Sequence, residues 1–300
     1  MDELFVPRRS VLYMPGSNAR AIAKARELPV DAIILDLEDS VADAQKELAR
    51  QQACEAIAAG GFGHREVVIR VNGENTPWHD EDVRAVIQAS PAGIVLPKVE
   101  SPEFVKRMAA AIEAYDPSST TRIWCMLETP RGVLSCSDVL SAHPRVAVAV
   151  MGTSDLTRDL RAQHTATRLP LLTSLGLCLL AARAHGVCIL DGVHLNLQDT
   201  EGFQSACQQG RELGFDGKTL IHPNQIAACN TAFSPTAEEV EAATAIVSAY
   251  ADARGRGQGV VVVGGRLVEE LHVLEAQRLL GIHQELTRAG RQGAEGPGNR

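Results

Sequence analysis

The feature that most constrains this chain is a regular alternation of short apolar strands with longer amphipathic helices. Strand-like runs occur at Ser10–Met14, Ala32–Leu35, Glu66–Val71, Gly93–Leu96, Ile123–Leu127, Val146–Val150, Val187–Leu190 and Thr219–Ile221. Helix-like stretches lie between them, among them Ala19–Glu27, Asp43–Ala59, Asp80–Ala89, Pro102–Ala114 and Pro170–His185. Strands that alternate with helices form a parallel sheet. Eight such units within about 225 residues predict an α/β fold, a closed (β/α)8 TIM barrel. A doubly wound open sheet is the alternative. Against it, no GxGxxG follows the first strand, and polar residues cluster after almost every strand, as in a barrel whose site is built from its βα loops.

The barrel is expected over 1–233. Beyond it the pattern changes to a helix near Glu238–Arg254, an apolar run Val260–Val263, Gly264-Gly265, and a helix near Val268–Leu280. Residues 234–286 thus read as a C-terminal helical and strand appendage, and the Gly- and charge-rich stretch 287–300 as a disordered tail.

Two motifs place one carboxylate each after a buried strand: Leu127-Glu128-Thr129-Pro130-Arg131-Gly132 and Met151-Gly152-Thr153-Ser154-Asp155-Leu156. Acids at the C-terminal ends of adjacent parallel strands can converge on one hard cation, and Mg²⁺ often takes only one or two protein carboxylates. A helix after each acid would point free N–H groups at an anion beside the metal. The competing reading of either acid is a helix cap. Arg70 ends an apolar strand, where a fixed charge is out of place in a core. It suits either a substrate carboxylate or a salt bridge with Asp36, Glu38 or Asp39.

A formal net charge of −8 excludes nucleic acid as a main partner, which needs a clustered basic surface. No apolar run approaches the roughly 18–20 residues of a membrane span, and Met1-Asp2-Glu3-Leu4 lacks a secretory signal's basic start. The seven scattered cysteines include no CxxC and read as reduced, which predicts a cytoplasmic protein.

Seven stretches carry a resemblance. They are Arg9-Ser10-Val11-Leu12-Tyr13-Met14-Pro15-Gly16-Ser17-Asn18, Ile34-Leu35-Asp36-Leu37-Glu38-Asp39-Ser40-Val41, Ile69-Arg70-Val71-Asn72, Leu96-Pro97-Lys98-Val99-Glu100, the two carboxylate motifs, and Gly214-Phe215-Asp216-Gly217-Lys218-Thr219-Leu220-Ile221-His222-Pro223. In this order, from about residue 8 to residue 282, the chain resembles the citrate lyase β-subunit-like proteins of the HpcH/HpaI aldolase superfamily. These include CoA-ester lyases such as malyl-CoA and citramalyl-CoA lyases.

The resemblance implies a barrel, one Mg²⁺ per subunit on Glu128 and Asp155, and cleavage or formation of a C–C bond beside a thioester. It also implies homotrimeric or homohexameric assembly. Arg70 would bind substrate, as would the Pro130-Arg131-Gly132 turn, unless Arg131 is a surface ion-pair residue. Asp36, Glu38 and Asp39 would stand behind the metal, bonding its waters and fixing Arg70. Arg9, Arg20 and Lys24 are the candidates for the CoA phosphates, with a solvated helix face as the alternative for Arg20 and Lys24.

The expected substrates are an acyl-CoA of the citramalyl-, malyl- or citryl-CoA type and the 2-keto acid formed from it by retro-Claisen cleavage. The alternatives are a carrier-protein thioester, a CoA-binding barrel without turnover, and a malate-synthase-like activity. In related lyases an aspartate from a neighbouring subunit's appendage is the acid or base. Glu269 stands at that position here, with His222 and His194 in reserve. Lys98 could form a Schiff base, but the paired acids favour the metal route.

Overall fold

The computed structural model describes residues 6–294. Eight parallel strands close on themselves in sequence order: β1 Ser10–Pro15, β2 Ala32–Asp36, β3 Glu66–Arg70, β4 Gly93–Leu96, β5 Arg122–Leu127, β6 Val146–Met151, β7 Cys188–Asp191 and β8 Gly217–Leu220. Pairing of β1 with β8 in parallel, Ser10 opposite Lys218 and Leu12 opposite Leu220, completes the ring. An open sheet is thereby excluded.

The helices in this unit are α1 Ala19–Ala25, α2 Lys46–Ala59, α3 His79–Ala89, α4 Pro102–Tyr115, α5 Pro130–Leu134, α6 Cys136–Leu140, α7 Thr153–Asp159, α8 Leu172–Ala184, α9 Thr200–Leu213 and α10 Ile226–Phe233. The fold is a (β/α)8 barrel. Several helices begin on side-chain caps, which stop the preceding loop where the barrel needs it to stop: Asn18 accepts from the N–H of Ala21, Ser101 from Phe104 and Thr129 from Gly132.

Period-two alternation divides the strand residues into two apolar layers. Val11, Ala32, Ile34, Val68, Val95, Trp124, Met126, Val148, Val150 and Leu190 fill the barrel interior. Leu12, Ile33, Leu35, Ile69, Ile94, Leu96, Cys125, Leu127, Ala149 and Ile189 face the helices. Trp124 is the largest fully buried side chain. A Cβ on Gly93 would lie 3.0 Å from its Nε1, so the small residue opposite makes room for the indole. Arg8 closes the end below it, 5.4 Å from the indole ring centre and bonded through Nε and Nη2 to Glu66 at 2.6 and 3.0 Å.

The chain divides into two compact units, Arg8–Phe233 and one built largely from Ser234 onward. In the second unit, α11 Ala237–Gly255 begins on a reciprocal capping box between Thr236 and Glu239. Strands β9 Val261–Val263 and β10 Arg266–Val268 form an antiparallel hairpin. Its turn is Gly264-Gly265, both at positive φ, which glycine adopts without strain. The last helix, α12, spans Glu270–Ala294.

Two expectations are corrected here. The helix near Val268–Leu280 begins instead at Glu270, after a second strand that three residues of apolar pattern were too short to announce. Thr287–Ala294 continue α12 where a disordered tail was expected; Gly290 and Gly293 lower helix propensity without ending a helix, and 295–300 lie outside the described residues. No helix among the described residues is long and apolar enough to cross a membrane.

Trp124→Ala should lower unfolding free energy by about 3–5 kcal/mol through the cavity it leaves. Denaturant unfolding followed by circular dichroism checks this; a loss below about 1 kcal/mol would show that the interior is not packed around the indole.

Candidate active site

Parallel register brings the first pair together. Asp36 and Arg70 are the last residues of β2 and β3 and stand directly opposite each other. Side chains at paired positions share a face, here the barrel interior. Arg70 Nε and Nη2 accordingly donate to Asp36 Oδ1 and Oδ2 at 2.6 and 2.7 Å. The loop completes Asp36: the N–H groups of Glu38 and Ser40 and the Ser40 hydroxyl all donate to it. Burial opposes its ionisation, but the charge and hydrogen bonds of Arg70 outweigh burial and hold its carboxyl below the usual range. The Tyr13 ring lies 4.9 Å from the guanidinium carbon.

The Nε–Nη2 edge of Arg70 is therefore occupied by Asp36, one of the three salt-bridge partners that the sequence offers it. What remains toward the mouth is Nη1, 2.9 Å from Glu38 Oε2 and 3.3 Å from Asp39 Oδ2. Glu38 Oε2 is buried and keeps that ion pair without a well-aligned hydrogen bond, and burial raises the Glu38 pKa.

Glu128 follows β5 directly and is 3% exposed. Its Oε1 accepts the backbone N–H of Lys98 at 2.8 Å. Burial, which disfavours the charged form, raises its pKa to about 7. Gly152, just after β6, leaves the space that Glu128 fills: a Cβ there would lie 2.3 Å from Glu128 Cβ and 2.4 Å from Oε2. Asp155, in the first turn of α7, has a side chain 19% exposed and meets Arg158 Nη1 at 2.7 Å. This partner, three residues on along the same helix face, went unremarked in the sequence although its spacing announces it.

Lys98 is the residue that sequence reasoning undervalued. Its backbone is left-handed, φ 48°, a conformation uncommon outside glycine and often found where function holds it. Its Nζ lies 3.6 Å from Glu38 Oε1 and 3.5 Å from Asp155 Oδ2. Burial lowers its pKa, but Glu38, Glu128 and Asp155 together raise it above the usual value. Those acids favour the ammonium over the neutral amine that a Schiff base needs. The signal that could have found it is its place directly after a strand, in the same rank as the acids.

Other expected site residues are placed as follows. Arg9 precedes β1 at the opposite end of the barrel, with its guanidinium and N–H on Asp31. A residue before a strand cannot reach the end where the strands finish, so Arg9 is corrected as a CoA contact. Arg20 and Lys24 are exposed on α1, one turn apart, with no ion pair to either among the described residues. The Gly132 N–H is taken by Thr129 Oγ1 at 3.0 Å, and Pro130 has no N–H to offer an anion. The Arg131 side chain is 77% exposed, 3.8 Å from Glu100. His194 Nε2 is buried without a hydrogen bond, and His222 Nδ1 accepts from the N–H of Asn224. Glu269 lies in the second unit, its N–H donated to His272.

Six carboxylates (Asp36, Glu38, Asp39, Glu128, Asp155, Asp159) thus gather around three cations (Arg70, Lys98, Arg158). With all six ionised, three negative charges are uncompensated. Among the described residues no group of three or more His, Cys, Asp or Glu is disposed to hold a metal. A buried glutamate and a half-buried aspartate with surplus negative charge fit an oxygen-seeking Mg²⁺ that keeps several waters, and they do not fit a metal needing a full protein cage.

Three comparisons place this geometry among known proteins. The HpcH/HpaI aldolase/citrate lyase family matches residues 9–223. A (3S)-malyl-CoA thioesterase of Cereibacter sphaeroides is 44% identical over 274 residues, 91% of this chain and 94% of that protein. The citrate lyase subunit beta of Leuconostoc mesenteroides subsp. cremoris is 34% identical over 92% of this chain and 93% of its own. Among solved structures, the protein CitE from Mycobacterium tuberculosis, in complex with magnesium, acetoacetate and coenzyme A, aligns with a TM-score of 0.72 and 27% identity, covering 94% of this chain and 97% of that one.

Gly152→Ala should push Glu128 out of place and weaken Mn²⁺ binding at least about tenfold while the barrel still folds. Calorimetric titration together with circular dichroism reads both; unchanged affinity contradicts the placement of Glu128. A second expectation concerns pH. A carboxyl whose folded pKa is raised favours the protonated fold, so its contribution is fullest below the unfolded pKa and is lost as pH rises through about 7. Thermal unfolding of metal-free protein between about pH 5 and 8 should show wild type losing stability relative to Glu128→Gln. Parallel curves would mean that Glu128 is not raised.

Proposed function

This chain belongs to the HpcH/HpaI aldolase/citrate lyase family, and within it we propose that it is a Mg²⁺-dependent enzyme breaking down a short β-hydroxyacyl-CoA of the malyl-CoA class. The observation that carries the proposal is the pair Glu128 and Asp155, surplus in negative charge, beside a guanidinium fixed by Asp36 at the C-terminal end of the barrel. Glu128 and Asp155 would hold one divalent cation. When bound, it supplies Lewis-acid polarisation of the substrate's 2-hydroxy or 2-oxo oxygen.

The chain's own residues do the rest. Arg70, with its other edge locked on Asp36, would turn Nη1 from Glu38 and Asp39 to a carboxylate or developing oxyanion of the acid portion. Asp36, Glu38 and Asp39 keep that guanidinium aimed, and Lys98 orients Glu128 through its backbone N–H. Arg20 and Lys24, on the helix that leaves β1, are the cations offered to the CoA phosphates. Assembly as a trimer or hexamer, with Glu269 of one copy as proton carrier for another, is part of the proposal. It rests on the position of Glu269 in the appendage sequence.

Two bonds are open to such a site. Retro-Claisen cleavage of the C–C bond gives a 2-keto acid and acetyl-CoA, and it is the reading favoured by the metal-and-guanidinium arrangement and by relatives that are citrate lyase β subunits. Thioester hydrolysis is favoured by the relatives at 43–44% identity that are (3S)-malyl-CoA thioesterases. On identity alone hydrolysis has the stronger support; the site supports both.

Malyl-CoA, citramalyl-CoA and citryl-CoA, each assayed with Mg²⁺ and with EDTA for free CoA thiol and for keto acid, separate the readings. Keto acid without free thiol means C–C cleavage. Free thiol without keto acid means hydrolysis. Neither product from any of the three would contradict the proposal and favour a carrier-bound thioester or a barrel that only binds CoA. Glu128→Ala and Asp155→Ala should each lower turnover at least about a hundredfold in folded protein; retained activity in either removes it from the metal site. Glu269→Gln should lower turnover without changing Mn²⁺ affinity, and full activity in it would remove Glu269 from the reaction.

A further inference from the structure

We propose that Lys98 is an internal counter-cation that occupies the charge position of the divalent metal in the metal-free protein, so that Lys98 sets how tightly the site binds its cation. The inference rests on the metal-site reading above and concerns a residue that reading leaves without a role for its side chain.

Three observations carry it. Lys98 Nζ sits between two carboxylates from different strand ends, 3.6 Å from Glu38 and 3.5 Å from Asp155. At those distances it makes no hydrogen bond of good geometry with either; it stands among the acids as a point charge, which a compact ammonium does well. Second, the same residue holds Glu128 from the other side, through its N–H on Oε1 at 2.8 Å. One left-handed residue, φ 48°, thus directs its backbone at one proposed ligand and its side chain at the other. Third, the other two cations each serve one side of the cluster: Arg70 is bonded to Asp36 and meets Glu38 at 2.9 Å, and Arg158 meets Asp155 and Asp159, whereas Lys98 stands between Glu38 and Asp155.

Without a metal, the ammonium reduces the repulsion among Glu38, Glu128 and Asp155. A divalent cation entering between Glu128 and Asp155 meets that ammonium as a like charge a few ångströms away. The side chain has somewhere to go: it is 41% exposed, and a flexible four-carbon stem can carry the head into solvent. Metal binding and withdrawal of the Lys98 head are then one event.

The test is Mn²⁺ affinity, read from the free-ion electron paramagnetic resonance signal, for wild type, Lys98→Met, Lys98→Asn and Lys98→Arg. Lys98→Asn is included because asparagine tolerates the left-handed backbone, so one neutral variant folds even where the other does not. The neutral variants should bind Mn²⁺ about tenfold or more tightly than wild type, a figure discounted for the exposure of the ammonium. Lys98→Arg should stay within about threefold. In the metal-free state the neutral variants should melt lower than wild type, and saturating Mn²⁺ should close that gap. Unchanged or weaker Mn²⁺ binding in the neutral variants overturns the inference, because Lys98 would then be organising the ligands and not competing with the ion. Failure of the metal-site reading looks different: wild type itself would bind no Mn²⁺, or Glu128→Gln would bind it as well as wild type does.

Discussion

A carboxylate removed from water at the mouth of a closed barrel costs free energy unless a cation answers it, and this site depends on how Glu128 is answered. Its nearest partner is a backbone N–H, that of Lys98, and burial keeps its pKa near 7. The surrounding acids make matters worse for its charge, not better. Such an arrangement is poorly adjusted to the metal-free protein and well adjusted to a bound divalent ion. Asp36 shows the contrast: it is as deeply buried, yet a guanidinium, two N–H groups and a hydroxyl satisfy it, and its pKa falls. One carboxylate is satisfied by its protein neighbours, and the other is the group for which a cation is proposed.

The barrel makes this contrast possible. Parallel register sets Asp36 against Arg70 at the last rung of β2 and β3, so their pairing follows from strand geometry. Glu128 and Asp155 come from the ends of β5 and β6, also neighbours, but they leave the sheet before they meet. Their positions depend on loop detail: the missing Cβ of Gly152, the left-handed turn at Lys98, and the short helix that carries Asp155. The rigid rungs hold the guanidinium, and the loops hold the groups that must accommodate an ion.

Short apolar runs made the strands legible to within a residue or two, because burial on both faces of each strand leaves few polar positions in it. Arg70 was legible as a charge where a core residue belonged, and the acids as polar residues directly after strands. Arg9 adjoins β1 but precedes it; in a parallel barrel, residues before a strand face away from the site. The sequence does not show that Thr129 caps the Gly132 N–H. Lys98 was legible as a lysine directly after a strand, but its place depends on a positive φ and on acids from separate loops, neither of which is written in local pattern. The helical reach of α12 past Thr287 reflects a helix continuing through glycines that composition alone marks as breakers.

The most direct test of this account is an anomalous difference map from crystals of the protein soaked with Mn²⁺. The account predicts one strong peak bonded to the carboxylates of Glu128 and Asp155, with the Lys98 head group withdrawn from between Glu38 and Asp155. A peak on Asp36 or Glu38 instead, or a Glu128–Asp155 site without Mn²⁺ while the metal binds elsewhere, would contradict it.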